Sequence, residues 1–131
     1  MLEVLLAASV LVLGITTSIL ALQRGFQALD TARNFTLASQ VMQSELERLR
    51  VKSWSQIQAL QDSSDRAVRI DATVPSAHNL TCIRSISDLK EGLKEITVIS
   101  TWRGYDGRPH SLRFITRYGR SGLYDYLYTS H

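Results

Sequence analysis

The chain has 131 residues, a net charge of +3 and a pI near 9.3. That length carries one small domain, and so mild a charge does not by itself imply a nucleic-acid partner. The lone cysteine, Cys82, excludes an internal disulfide and leaves the compartment open. Hydrophobic residues make up 44% of the chain, an ordinary share, so the information lies in where they fall.

They are concentrated at the front. From Val4 to Gln23 there is no charged residue, and a helix over that run is about 30 Å long, enough to cross a bilayer core. Leu2, Val4, Leu5, Leu6, Val10, Leu11, Val12, Leu13, Ile15, Ile19, Leu20 and Leu22 make it apolar on every side. Arg24 ends the run, but no proline precedes Pro75, so nothing stops the helix there. Beyond it, Phe35, Ala38, Met42, Leu46 and Leu49 recur at three- and four-residue steps and form one apolar stripe. A weaker stripe, Phe26, Leu29, Leu37 and Val41, lies roughly opposite, with Asp30, Arg33, Glu47, Arg48 and Arg50 between them. The pattern predicts one continuous helix. Residues 1–25 lie in lipid or a helical bundle, and residues 26–53 form an amphipathic continuation on a soluble domain.

A carboxylate, Glu3, stands almost at the front. An acidic side chain costs about 2.5–3.5 kcal/mol at the centre of a membrane helix on insertion scales. Near the end the cost is smaller, but the group still needs a partner. The plainer alternative is an interfacial glutamate favoured by the helix dipole.

Leu2-Glu3-Val4-Leu5, the apolar run and the amphipathic extension together resemble the N-terminal helix of type IV pilins and type II secretion pseudopilins. Val12-Leu13-Gly14 and Ser44-Glu45-Leu46-Glu47-Arg48-Leu49-Arg50 are most similar to minor pilins of the V class, with minor pseudopilins of the I class close behind. The resemblance covers the helix; the rest of the chain is similar in layout only. It implies that Glu3 meets the α-amino group of a neighbouring subunit inside a filament and sets the axial stagger. It also implies other pilins, the bacterial inner membrane and an inner-membrane assembly platform as partners. The final location would be a pilus or pseudopilus, in the periplasm or at the cell surface. In the family a leader ending in glycine is removed, and the glutamate follows four residues after the new, methylated N-terminus. Here Glu3 stands two residues after Met1. Either the sequence begins inside a mature chain or its start codon was assigned late.

Two rival accounts of the front fit less well. A secretory signal peptide has a basic front and an apolar region of about 7–15 residues, whereas this front is acidic and its run longer. A generic single-pass anchor does not explain why an amphipathic helix continues directly from the apolar one.

The helix is expected to fray near Lys52-Ser53-Trp54, with a connecting loop over residues 54–65 holding a short helical turn at 55–60. Then the period switches to two. Ala67 to Val74 alternates, with Val68, Ile70, Ala72 and Val74 on one face, and Pro75 stops it. Asn79 to Ile86 is a second strand, and Asp88 to Gly92 a turn. Leu93 to Trp102, rich in β-branched residues, is the clearest strand. Gly104-Tyr105-Asp106-Gly107 is a hairpin loop. Ser111 to Tyr118 is a further strand, and Leu123 to Tyr128 a short strand or ordered tail. A helix followed by short antiparallel strands is α+β. Residues 54–131 would form a small sheet domain on residues 26–53, with Phe35, Met42, Leu46 and Leu49 meeting Ile96, Val98 and Trp102. This is also the layout that the pilin resemblance implies.

His78, His110 and His131 have no second ligand at metal spacing, and no nucleophile elbow or phosphate loop occurs. No metal, cofactor or enzymatic activity is expected. Arg103, Arg108, Arg113, Arg117 and Arg120 crowd the last hairpin, with Tyr105 and Tyr118 nearby. Arg113 and Arg117 share strand parity. They are candidates for DNA contact through phosphate and base stacking, or, more simply, for a solvated face or a contact with the next subunit. Asn79-Leu80-Thr81 matches a glycosylation acceptor but is explained as strand. The expected function is that of a minor pilin or pseudopilin that initiates, tips or modifies filament assembly. The alternatives are a major structural pilin and a membrane-anchored binding subunit. The lone cysteine, short loops and absence of an early proline weigh against the first.

Overall fold

The structure is a computed structural model that describes residues 1–70 and 79–120. Its elements, in order, are α1 (Leu2–Arg50), α2 (Trp54–Asp62), β1 (Thr81–Lys90), β2 (Leu93–Arg103) and β3 (Pro109–Gly119). The fold is α+β. A 49-residue helix lies against one antiparallel sheet of order β1-β2-β3.

α1 is unbroken because it contains no proline and the hydroxyls of its first half are satisfied locally. Thr16 and Ser18 donate to the carbonyls of Val12 and Gly14 at 2.7 and 2.8 Å, and Thr17 to that of Leu13 at 3.0 Å. Such back-bonds leave no side-chain donor unpaired in an apolar surrounding. Residues 1–29 are exposed without exception. This helix is long and apolar enough to cross a membrane.

Burial starts with the second half. Ala38, Met42, Glu45 and Leu49 face the sheet at steps of four, three and four residues. They meet the inward side chains of the strands. Cys82 comes from β1; Ile96, Val98 and Trp102 from β2; Leu112, Phe114 and Tyr118, partly buried, from β3. In β2 the alternation is strict, with Lys94, Ile96, Val98, Ser100 and Trp102 all turned inward. Trp102 forms a satellite cluster with Ala38 and Leu80, nearer the front of the helix.

Four expectations need correction. Phe35 is not in the core. It is 50% exposed, because the contacting stripe runs through Ala38 and Met42 and its flank takes Val41 and Leu46 instead. The segment after α1 is a true helix rather than a loop with a turn. Ser53 caps α2 by accepting from the Gln56 backbone while the Gln56 side chain accepts from the Ser53 backbone, a reciprocal capping box. Ile57 on its inner face is fully buried. The turn expected at 88–92 is tighter. β1 continues to Lys90 through a register shift after Asp88, and Gly92, at φ +77°, turns the chain. Finally, Ala67 makes only a single bridge to Ile83. Val68 to Ile70 form no strand, although Val68 is buried and its N–H donates to the Cys82 carbonyl at 3.1 Å. Residues 71–74 and the 123–128 segment lie outside the described residues.

Candidate functional site

Three surfaces carry the residues singled out above. The first is the front of α1. Glu3 lies in the first helical turn, and Met1 provides no side-chain cap. The twelve apolar side chains from Leu2 to Leu22 stay between 50 and 74% exposed. Among the described residues, nothing covers the front half of α1. One carboxylate sits at the tip of a surface that only lipid or other helices would cover.

The second surface is the outer face of the sheet. Parity puts Arg113 and Arg117 there, both exposed, with Arg113 opposite Ile99 and Arg117 opposite Glu95. Ile83 and Ile115 lie on the same face, 46 and 54% exposed. Tyr118 is not with them. It turns inward, stacks on Trp54 at 6.1 Å and donates its hydroxyl to the Lys52 carbonyl at 2.6 Å. Tyr105 is at the hairpin tip. The sheet thus does not assemble the expected pair of tyrosines beside Arg113 and Arg117 as a stacking platform.

The third surface was not foreseen. The β2–β3 turn, residues 104–108, leans back against α1. The Tyr105 backbone N–H donates to Asp30 Oδ2 at 3.2 Å, and Asn34 holds the same oxygen at 3.1 Å. The turn is tightly formed. Gly104 N–H donates to the Arg108 carbonyl at 3.0 Å, Gly107 N–H to the Gly104 carbonyl at 2.9 Å, and Arg108 N–H to Asp106 Oδ1 at 3.0 Å. Gly107 sits at φ +74°, which favours glycine. A Cβ on Gly104 would come within 2.7 Å of Asp106 Oδ1. A depression of about 300 Å³ opens between the turn and α1, lined by Arg24, Gln27, Ala28, Thr31, Tyr105 and Asp106. The signal for this contact was present in Asp30 and the glycine pair, but their distance in sequence hid it.

The interior holds two polar arrangements that periodicity did not reveal. Glu45 of α1 pairs with Arg84 of β1, both almost fully buried, and Arg84 also donates to the Asp65 carbonyl at 2.9 Å. Arg48 approaches the other oxygen of Glu45 at 3.7 Å from the rim. At the far end Lys94, fully buried, lies 5.0 Å over the Trp54 ring and reaches Asp88 and Gln61. The hydrogen bond from Lys94, and then that from Gln61, hold the Asp88 carboxyl below the usual carboxylate range. Burial, and then the Glu45 carboxylate, push the Cys82 thiol up to about 11. It is therefore a neutral packing group at physiological pH rather than a nucleophile. Among the described residues, no three histidine, cysteine or acidic side chains gather where they could hold a metal ion.

No protein-family model, curated protein or solved structure matches this chain. Its class is defined by architecture. An exposed apolar helix whose rear half packs on a three-stranded antiparallel sheet is a pilin-like arrangement.

Proposed function

We propose that this chain is a minor pilin or pseudopilin, a structural subunit that initiates, tips or modifies a type IV pilus or a type II secretion pseudopilus. One observation carries the proposal. The same continuous helix is wholly uncovered over residues 1–29, packed from Ala38 onward, and tipped by a single carboxylate. Before assembly the front lies in the inner membrane. In the filament it lies among the corresponding helices of other subunits, and Glu3 meets a neighbour's amino group. The sheet domain stays outside, in water. The work of extraction comes from other components of the assembly platform.

The test is Glu3→Ala, with protein level and membrane insertion measured alongside. The expected result is a stable, inserted protein that no longer enters filaments or supports secretion. Unchanged incorporation and unchanged assembly would refute the role given to Glu3. The chain would then be better described as an anchored domain whose function lies in its sheet.

A further inference from the structure

The β2–β3 turn sits at an informative level along α1. Arg24 ends the apolar run, so a helix that crosses the bilayer brings Arg24 to the hydrocarbon boundary. Gln27 and Ala28, which line the depression with Tyr105, are then about 5–6 Å beyond that boundary at ~1.5 Å per residue. The headgroup layer is roughly 5–8 Å deep on each side. The Tyr105 side chain, which lines that depression, therefore falls inside it, while the backbone of the turn, bonded to Asp30, stands just outside.

The side chains there suit that layer. Tyr105 is 83% exposed, although the rest of the turn is held rigidly. Tyrosine, with an apolar ring and a polar hydroxyl, is favoured at the membrane–water interface. Arg24 and Arg103 have no carboxylate within ion-pair distance among the described residues, and Arg108 keeps only a loose, exposed approach of 3.7 Å to Asp106. Asp30, the other carboxylate nearby, is occupied by the Tyr105 and Asn34 donors and lies about 9 Å farther from the boundary than Arg24. Guanidinium groups at this level meet lipid phosphates, which they bind in bidentate fashion.

We infer that the β2–β3 turn is a second membrane contact, in which Tyr105 enters the headgroup layer while Arg24, Arg103 and Arg108 bind the phosphates of anionic phospholipids. The inference rests on α1 crossing the membrane. Its consequence is orientation. A single helix leaves the sheet domain free to rotate and tilt, whereas helix and turn together present one fixed face to neighbouring subunits, and extraction has to break the contact.

The experiment uses the full chain in vesicles, with the photoreactive residue p-benzoylphenylalanine in place of one side chain at a time. Position 105 is the probe, position 13 reports on the spanning helix, and position 87, on β1 towards the opposite end of the sheet, is the aqueous control. The expected result is lipid adduct at 105 and 13 but not at 87. Adduct at 105 should be stronger in vesicles containing phosphatidylglycerol than in phosphatidylcholine alone. It should fall about fivefold on Arg103→Gln and again on Arg108→Gln, with position 13 unchanged. Adduct at 13 with none at 105 overturns the contact and leaves the spanning helix intact. No adduct at 13 removes the membrane crossing and the contact with it. Equal adduct at 105 in both lipids overturns the role of anionic phosphate.

Discussion

Removing one partner of the Glu45–Arg84 pair should cost far more than removing both. The two groups are 3 and 7% exposed and join α1 to β1 across the core. Breaking a buried pair by deleting one charge costs about 3–5 kcal/mol, because the survivor stays buried without compensation. The structure orders the two single variants within that range. After Arg84→Met, Glu45 still has Arg48 at 3.7 Å and half in water, so the loss should be near 3 kcal/mol. After Glu45→Met, Arg84 keeps one carbonyl, that of Asp65, while its Nε has no partner among the described residues. That loss should be near 5 kcal/mol, a third or more of a typical domain's stability of 5–15 kcal/mol. The double variant Glu45→Met/Arg84→Met replaces two desolvated charges with packing side chains and should lie within about 1 kcal/mol of the parent. Urea unfolding of the full chain in detergent, followed by the fluorescence of Trp54 and Trp102, reads all four proteins. If the two single losses simply add in the double variant, the groups do not interact and the pairing argument fails.

Other perturbations separate the remaining elements. Met42→Ala should destabilise by about 2–5 kcal/mol, since Met42 is fully buried, whereas Phe35→Ala should cost under about 1 kcal/mol in the isolated subunit; equal losses in urea titrations would restore Phe35 to the core. Cys82 keeps its proton to about pH 11 when folded but loses it near pH 8.5 when unfolded. The native state therefore binds the extra proton between those values, and stability should fall as pH rises through them. Cys82→Ala should flatten that alkaline slope in unfolding midpoints. Asp88 has a depressed pKa when folded, so its contribution is present above the ordinary carboxylate value and is lost as pH falls through the lowered one. Asp88→Asn should make melting temperature less sensitive to pH below about pH 4. Asp30→Ala should release the β2–β3 turn without unfolding the sheet, seen as faster amide exchange at Tyr105 and unchanged exchange at Ile96 and Val98.

The helix was legible because its signals are local and repeated. An uncharged run, no proline and one stripe state the same element many times over, and Met42 and Leu49 were placed correctly from spacing alone. β2 and β3 were legible for the same reason, since β-branched alternation bracketed by glycines fixes both ends within a residue or two. Phe35 misled because period alone does not say which side of the helix is covered at each level. Ahead of Ala38 the contact passes to Asn34 and Asp30, which meet the β2–β3 turn, and leaves Phe35 to one side. α2 was missed although Ser53 and Gln56 spell its capping box. The buried charges were invisible in principle. Glu45 reads as one more acid on an amphipathic helix until Arg84 arrives from β1, 39 positions away. Lys94 likewise occupies an inward strand position that pattern reasoning gives to an apolar residue.

The two halves of α1 are governed by different balances, and this bears on what assembly must supply. From Ala38 onward the helix has its apolar stripe covered within the chain. The front half leaves twelve large apolar side chains exposed, and at about 1.5–3 kcal/mol for each one fully buried, leaving them in water would cost on the order of 20 kcal/mol. Lipid removes that penalty, and so does a bundle of like helices. Transfer from one to the other then gains little from the apolar side chains themselves, because lipid tails are as apolar as leucine. On the proposed function, what distinguishes the filament from the membrane is left to close packing and to the one group that lipid serves badly. A carboxylate that found an amino group only between subunits would make the bundle preferable to the bilayer, and one axial stagger preferable to its neighbours. Glu3→Gln, which keeps shape and hydrogen bonding but removes the charge, should therefore retain membrane insertion and lose register. Subunits that still assemble would do so with disordered axial spacing in filament images. Filaments with normal spacing would show that packing alone sets the stagger.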